Sequence, residues 1–139
     1  MKFFVTGVGG QLGHDVMNEL LKRGYEGIGS DMQEACDMAA PYMSLDITDR
    51  NAVEKAITDV NPDAVIHCAA AEDDENVAKV RAVNAGGTKN IADVCKKLNC
   101  KMTYISTDYV FDGQGTEPWK PDCKDYKPLN VYGQTKLEG

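Results

Sequence analysis

The stretch that decides the fold is Lys2-Phe3-Phe4-Val5-Thr6-Gly7-Val8-Gly9-Gly10-Gln11-Leu12-Gly13. Lys2 to Thr6 is a short apolar run of the kind that forms a strand. From Gln11 to Arg23, Leu12, Val16, Leu20 and Leu21 recur at helical spacing, and Gly24 marks the stop. Gly7, Gly10 and Gly13 lie at the junction. In that context Gly7 permits a tight turn out of the strand, Gly10 lets backbone approach a pyrophosphate, and Gly13 lets the helix pack close to a sheet. The amides that open the helix, at the positive end of its dipole, then face an anion. An ordinary glycine-rich turn is the alternative, but the strand before and the helix after are what a dinucleotide turn requires.

Outward from this turn, short apolar runs alternate with helical periodicities. Strands are expected at Tyr25 to Ser30, Tyr42 to Leu45, Ala64 to Cys68 and Lys101 to Ser106. Helices are expected at Asp49 to Val60, with Pro62 closing it, at Asn76 to Leu98, and from Asn130 onward. Thr107 to Pro128 reads as loop, with Asp112-Gly113 and three prolines. The run Ala64-Val65-Ile66-His67-Cys68 is apolar throughout, as in a parallel strand covered on both faces. Strand–helix alternation at these lengths implies right-handed crossovers. The fold class is therefore a doubly wound α/β domain with a parallel sheet, and residues 1–139 form one dinucleotide-binding domain.

Composition narrows the partners. The 139 residues carry a formal charge of −7, with a pI of about 4.7. An acidic surface argues against nucleic acid or an anionic membrane as the main partner. It leaves room for a nucleotide held by backbone amides. No run approaches the ~20 apolar residues of a membrane span. Five cysteines, an odd number without a CxxC pair, read as free thiols in a reducing cytoplasm. No signal peptide precedes the first strand, so a cytoplasmic location is expected. His14 and His67 are too isolated to suggest a metal site. Glu72-Asp73-Asp74-Glu75 reads as a solvated helix start.

Two acids extend the cofactor reading. Asp31 stands 18 residues beyond Gly13, at the end of the second strand. A carboxylate there accepts hydrogen bonds from adenosine ribose hydroxyls and repels a 2′-phosphate, which leans towards NADH; a solvated surface Asp is the alternative. Asp46 after the third strand either touches the adenine edge or caps the next helix together with Thr48.

Tyr132 and Lys136 form Tyr-x-x-x-Lys, one turn apart on one face of the last helix. A phenol's reference pKa is about 10, and a nearby ammonium would lower it. Tyr132 could then exchange a proton with a carbonyl oxygen as hydride arrives at carbon, while Lys136 reaches the nicotinamide ribose. An exposed pair on an amphipathic helix is the bland alternative. Thr107 and Asp108 follow the last strand, at the carboxyl end where open α/β sheets bind ligands. Thr107 could polarise a substrate carbonyl. Asp108 accepts from a substrate hydroxyl or caps a turn.

The spacing Gly-x-x-Gly-x-x-Gly resembles the extended short-chain dehydrogenase/reductase superfamily. Ser106-Thr107-Asp108-Tyr109-Val110-Phe111-Asp112-Gly113 and Pro128-Leu129-Asn130-Val131-Tyr132-Gly133-Gln134-Thr135-Lys136-Leu137-Glu138 narrow the likeness to the dTDP-4-dehydrorhamnose reductase family. Gly10-Gln11-Leu12-Gly13, Leu45-Asp46-Ile47-Thr48-Asp49, Cys68-Ala69-Ala70 and Val83-Asn84-Ala85-Gly86-Gly87-Thr88 agree in order. The resemblance implies NAD(P)H-dependent reduction of the 4-keto group of dTDP-4-dehydro-L-rhamnose to dTDP-L-rhamnose. It implies cofactor contacts at Gly10, Gln11, Leu12, Asp46, Ile47, Ala69 and Ala70, with Ala71 beside them. Substrate or catalytic roles fall on Thr107, Asp108, Tyr132 and Lys136. Family members often use NADPH, so NADH and NADPH both stay open. Relatives that act as regulatory subunits of methionine adenosyltransferase keep a non-catalytic binding role open, as does another nucleotide sugar as substrate. The oligomeric state is open, a homodimer included. Two departures stand out: Ala71-Glu72 follows Cys68-Ala69-Ala70 without the family's intervening stretch, and Gly139 comes one turn after the lysine. The expectation is a portion of a longer reductase.

Overall fold

The structure is a computed structural model that describes residues 1–73 and 75–139. Side chains on a strand alternate between faces, and in β1 (Lys2–Thr6) this sends Phe4 and Val5 to opposite sides. β1 therefore needs cover on both sides, and it lies in the middle of the sheet. Among the described residues the other strands are β2 (Glu26–Asp31), β3 (Tyr42–Ser44), β4 (Ala64–His67) and β5 (Lys101–Tyr104). All pair in parallel, in the order β3-β2-β1-β4-β5. Thr6 stands opposite Ser30 on one side and His67 on the other.

The chain builds outward from β1 to β3, then returns to the far side of β1 for β4 and β5. That reversal opens a crevice at the carboxyl ends of β1 and β4, the place where such sheets take ligands. α1 (Gln11–Lys22) covers one face, packing Met17 and Leu20 against Val5 and Val8. α2 (Arg50–Val60) and α4 (Thr88–Leu98) cover the other, where Val53, Ile57, Ile91 and Val94 bury Phe4 and Val65. Asp49 caps α2 by accepting from the amides of Asn51 and Ala52.

The expected helix from Asn76 to Leu98 is interrupted. It runs as α3 (Val77–Arg81), a π-helical segment (Ala82–Gly87) and then α4. Within the wide turn, the Asn84 amide reaches Ala71 and Thr135. Such side-chain bonds are invisible to a hydrophobic-periodicity argument. The start of α3 falls where the sequence placed it, after the acidic run. Asn76 is the cap, accepting from the Lys79 amide, while the Asp73 carboxylate accepts from the amides of Glu75 and Asn76. Asp74, part of that acidic run, lies outside the described residues.

β4 and β5 each stop short of their apolar runs, at His67 and Tyr104. Single bonds from the Cys68 amide to Thr6 and from the Ile105 amide to His67 carry the ladder slightly further. The loop after β5 contains a 3₁₀ turn (Asp108–Val110), and the chain then enters α5 (Val131–Glu138). The five cysteines are free thiols. No helix among the described residues is long and apolar enough to cross a membrane.

Candidate functional site

At the crevice a cleft of about 280 Å³ is lined by Thr6, Gly7, Gly10, Ser30, Asp31, Met32, Leu45, Ile47, Cys68, Ala69, Ala70, Ala71, Lys79 and Val83. Its floor is glycine-dependent. Gly7 sits at φ +75, and a Cβ there would come within 2.6 Å of the Ala69 amide nitrogen. Gly13 packs so closely under the turn that a Cβ would meet the Gly7 carbonyl at 2.1 Å. Gly10 is the N-cap of α1 and brings no side-chain cap with it. The first amides of this 12-residue helix are thus left for a ligand or water, beside the cleft. Asp31 is tied into the same turn, its carboxylate accepting from the Gly9 amide at 3.0 Å.

Several of the residues singled out in the sequence therefore converge on one cleft: Gly7, Gly10, Asp31, Ile47, Ala69, Ala70 and Ala71. Gln11, Leu12, Gly13 and Asp46 stand outside that lining. Gln11 and Leu12 are exposed on the first turn of α1, and Gly13 is buried against the turn. The Asp46 carboxylate bonds the amide and hydroxyl of Thr48, each at 2.8 Å. It braces the approach to α2, while Asp49 is the helix cap itself. Thr6, Ser30, Met32, Leu45, Cys68, Lys79 and Val83 were not anticipated. Thr6, Ser30 and Cys68 flank the ends of paired strands and follow from the register once strand order is known. Lys79, an exposed cation on α3, had no sequence signal.

The second cluster lies on α5. Asn130 caps this helix through the Gly133 amide at 2.7 Å. Gly133 packs against the 3₁₀ turn so tightly that a Cβ would meet the Tyr109 carbonyl oxygen at 2.1 Å. The Tyr132 ring meets Tyr109 edge-on, with centroids 6.0 Å apart. Lys136 is 4% exposed, with Nζ 4.1 Å from the centroid of the Tyr104 ring. Tyr104 in turn donates its hydroxyl to the Lys136 carbonyl at 2.9 Å. Burial lowers the Lys136 ammonium to about 8, with the nearby Cys68 thiol opposing the shift.

Here the expected electrostatics needs correcting. Tyr132 lies above the ordinary phenol value, raised first by burial and then by the charges of Glu72 and Asp108. The Lys136 ammonium rests on the Tyr104 ring, and it does not lower the Tyr132 phenol in this geometry. Tyr132 is therefore a protonated phenol at neutral pH, a donor. Thr107 is the cap of the 3₁₀ turn: its oxygen accepts from the Tyr109 amide at 3.2 Å, and its hydroxyl donates to Asp108 Oδ1 at 3.3 Å. The turn-capping role that was open for Asp108 falls on its neighbour.

Between the clusters lies His67, wholly buried and held neutral, its imidazolium lowered to about 4 by burial and by Lys136. Both ring nitrogens are hydrogen-bonded, to Thr6 and Thr88.

Comparison with known proteins agrees with this architecture. The probable low-salt glycan biosynthesis reductase of Haloferax volcanii is 34% identical over 143 residues, which span 100% of this chain and 47% of that protein. The bovine methionine adenosyltransferase 2 subunit beta is 33% identical over 144 residues, 99% of this chain and 41% of that one. The dTDP-4-dehydrorhamnose reductase of Bacillus anthracis, solved with NADP, superposes with a TM-score of 0.85 at 30% identity, over 99% of this chain and 47% of that one. The chain thus spans about half the length of the curated relatives it matches. All 139 residues match one family description, and the chain belongs to the RmlD substrate binding domain family.

Proposed function

We propose that this chain is the dinucleotide-binding and proton-donating part of a nucleotide-sugar reductase, acting on the 4-keto group of dTDP-4-dehydro-L-rhamnose to give dTDP-L-rhamnose. The observation that carries this reading is the cleft at the carboxyl ends of β1, β2 and β4, which opens beside the uncapped start of α1. A pyrophosphate fits there because glycine brings backbone amides close and the helix dipole favours negative charge. Asp31 would take the adenosine ribose, and its carboxylate favours NADH. The NADP complex of the Bacillus anthracis relative supports a nicotinamide cofactor and keeps NADPH in play.

The cofactor, when bound, supplies a hydride to the carbonyl carbon. Tyr132, a protonated phenol at neutral pH, donates its proton to the carbonyl oxygen. Lys136, whose ammonium rests on the Tyr104 ring, would hold the nicotinamide ribose once the cofactor is bound. Thr107 and Asp108, at the mouth of the same end of the sheet, orient the sugar. The likeness of this chain to the dTDP-4-dehydrorhamnose reductases of Streptomyces griseus and Bacillus anthracis supports a dTDP-sugar as substrate.

The 33% identity to a methionine adenosyltransferase subunit favours a second reading, a non-catalytic dinucleotide-binding subunit. Thr107, Tyr132 and Lys136 together speak for the reductase, because binding alone does not call for them. The test is a reductase assay of the intact protein with NADH and NADPH against dTDP-4-dehydrorhamnose. Tyr132→Phe should lower kcat by about 10²- to 10⁴-fold while the cofactor Kd stays close to that of the parent. Unchanged turnover would remove Tyr132 from the chemistry.

A further inference from the structure

The polar contacts around His67 admit one consistent set of proton positions. Thr88 has a single hydroxyl proton and donates it to the Asn84 carbonyl at 2.6 Å. Its oxygen must therefore accept from His67 Nε2, 3.0 Å away, which places the imidazole proton on Nε2. Nδ1 is then bare, and it accepts the Thr6 hydroxyl at 2.7 Å. The Thr6 oxygen, having given its proton away, accepts from the Ala69 amide at 3.3 Å. A directional chain thus runs from the cleft wall at Ala69, through β1 and β4, to the π-helical segment.

That segment closes a circuit. The Asn84 side chain accepts from the Ala71 amide at 2.8 Å and donates to the Ala71 carbonyl at 2.9 Å. Its other amide proton goes to the Thr135 hydroxyl at 3.0 Å, and that hydroxyl bonds back to carbonyls in the first turn of α5. The His67 ring also packs against Tyr104, centroids 5.8 Å apart, and Tyr104 carries the Lys136 ammonium on its ring. Ala69 and Ala71 line the cleft, while Thr135 lies between Tyr132 and Lys136.

We infer that His67 is a positioning residue, which as a neutral Nε2–H imidazole holds the Ala69–Ala71 wall of the cleft in fixed relation to the helix carrying Tyr132 and Lys136. The inference rests on the reading of the cleft as a dinucleotide site. The position calls for a rigid group that accepts on one side and donates on the other. A charged ring could no longer accept the Thr6 hydroxyl at Nδ1 and would be repelled by Lys136.

The test uses the whole chain with its histidines ¹⁵N-labelled, as parent, Thr88→Val and Thr88→Ser. Thr88 is outside the cleft lining, so neither substitution touches a bound nucleotide. Three readouts are taken: the protonated ring nitrogen of His67 by long-range ¹H–¹⁵N correlation, hydrogen exchange at the Ala69 amide, and NADH affinity by fluorescence titration. The parent should show Nε2–H. Thr88→Val, which removes the acceptor, should move the proton to Nδ1, speed Ala69 exchange by about tenfold and weaken NADH by about fivefold or more. Thr88→Ser, which restores the hydroxyl, should return each readout to within about twofold of the parent. A proton on Nδ1 in the parent overturns the inference. So does a Thr88→Val chain whose Ala69 exchange stays within about twofold of the parent. Failure of the parent to bind either NADH or NADPH would instead sink the cleft reading, and the relay would still be judged by tautomer and exchange.

Discussion

Burial at His67 has a thermodynamic consequence that can be measured without substrate. The imidazolium is lowered from 6.5 to about 4 in the folded chain, chiefly by desolvation. Between those values the unfolded chain binds the extra proton and the folded chain does not. This contribution is therefore fully present above about pH 6.5 and is lost as pH falls towards 4. From pH 7 to pH 5 it amounts to about 2 kcal/mol. Urea unfolding of the parent at the two pH values should show at least that loss, and His67→Gln should flatten the slope by a similar amount. Equal slopes in both chains would mean that His67 titrates freely. Lys136 is shifted the same way, a buried cation on an aromatic face whose desolvation favours the neutral amine. Burying a charge is costly unless it is paired, so its place on α5 is hard to explain by stability and is accounted for by the proposed chemistry.

At the level of elements, α5 is eight residues long and depends on its neighbours to be helical at all. Arg81 and Glu138 pair across to α3 at 2.7 and 3.1 Å, but both are well exposed and such pairs contribute about 1 kcal/mol or less. The contacts that matter more are buried: Asn84 to Thr135, and Gly133 against the Tyr109 carbonyl. Gly133→Ala would place a methyl group 2.1 Å from a backbone oxygen that cannot rotate away. We expect a loss of about 1–3 kcal/mol in urea unfolding. In the intact protein we also expect a drop in turnover, as the Tyr132 ring is levered away from its place. A Gly133→Ala protein with the stability and turnover of the parent would show that α5 packs less closely than described.

At the scale of the molecule, the cleft should couple ligand binding to folding. A ligand that binds only the folded state stabilises by RT ln(1 + [L]/Kd), about 2.7 kcal/mol at 100 times Kd. NADH at that excess should raise the urea midpoint accordingly. The same experiment with NADPH measures how strongly Asp31 discriminates against a 2′-phosphate, and equal stabilisation by the two would leave the carboxylate without a selective role. The charge of −7 does not oppose this binding, because the phosphates would meet amides and a helix end rather than the acidic outer surface.

The doubly wound sheet was legible in the chain because its signals are local: an apolar strand, a glycine turn, an amphipathic helix, repeated in order. Gly7, Gly10 and Asp31 could be named for the same reason, since a turn and a strand end need only their neighbours in sequence. That Tyr132 and Lys136 share the last helix could be read because one helical turn separates them in sequence. Only the tertiary structure decided that Lys136 rests on Tyr104, that Tyr132 is raised rather than lowered, and that the long helix widens into a π-helical segment whose Asn84 clasps Ala71. It alone joined Thr6, His67 and Thr88 in one proton-ordered chain. Those contacts join residues 13 to 61 positions apart, and what fixes them is burial. Away from water each donor must find an acceptor, and which one it finds depends on how the strands are ordered in space.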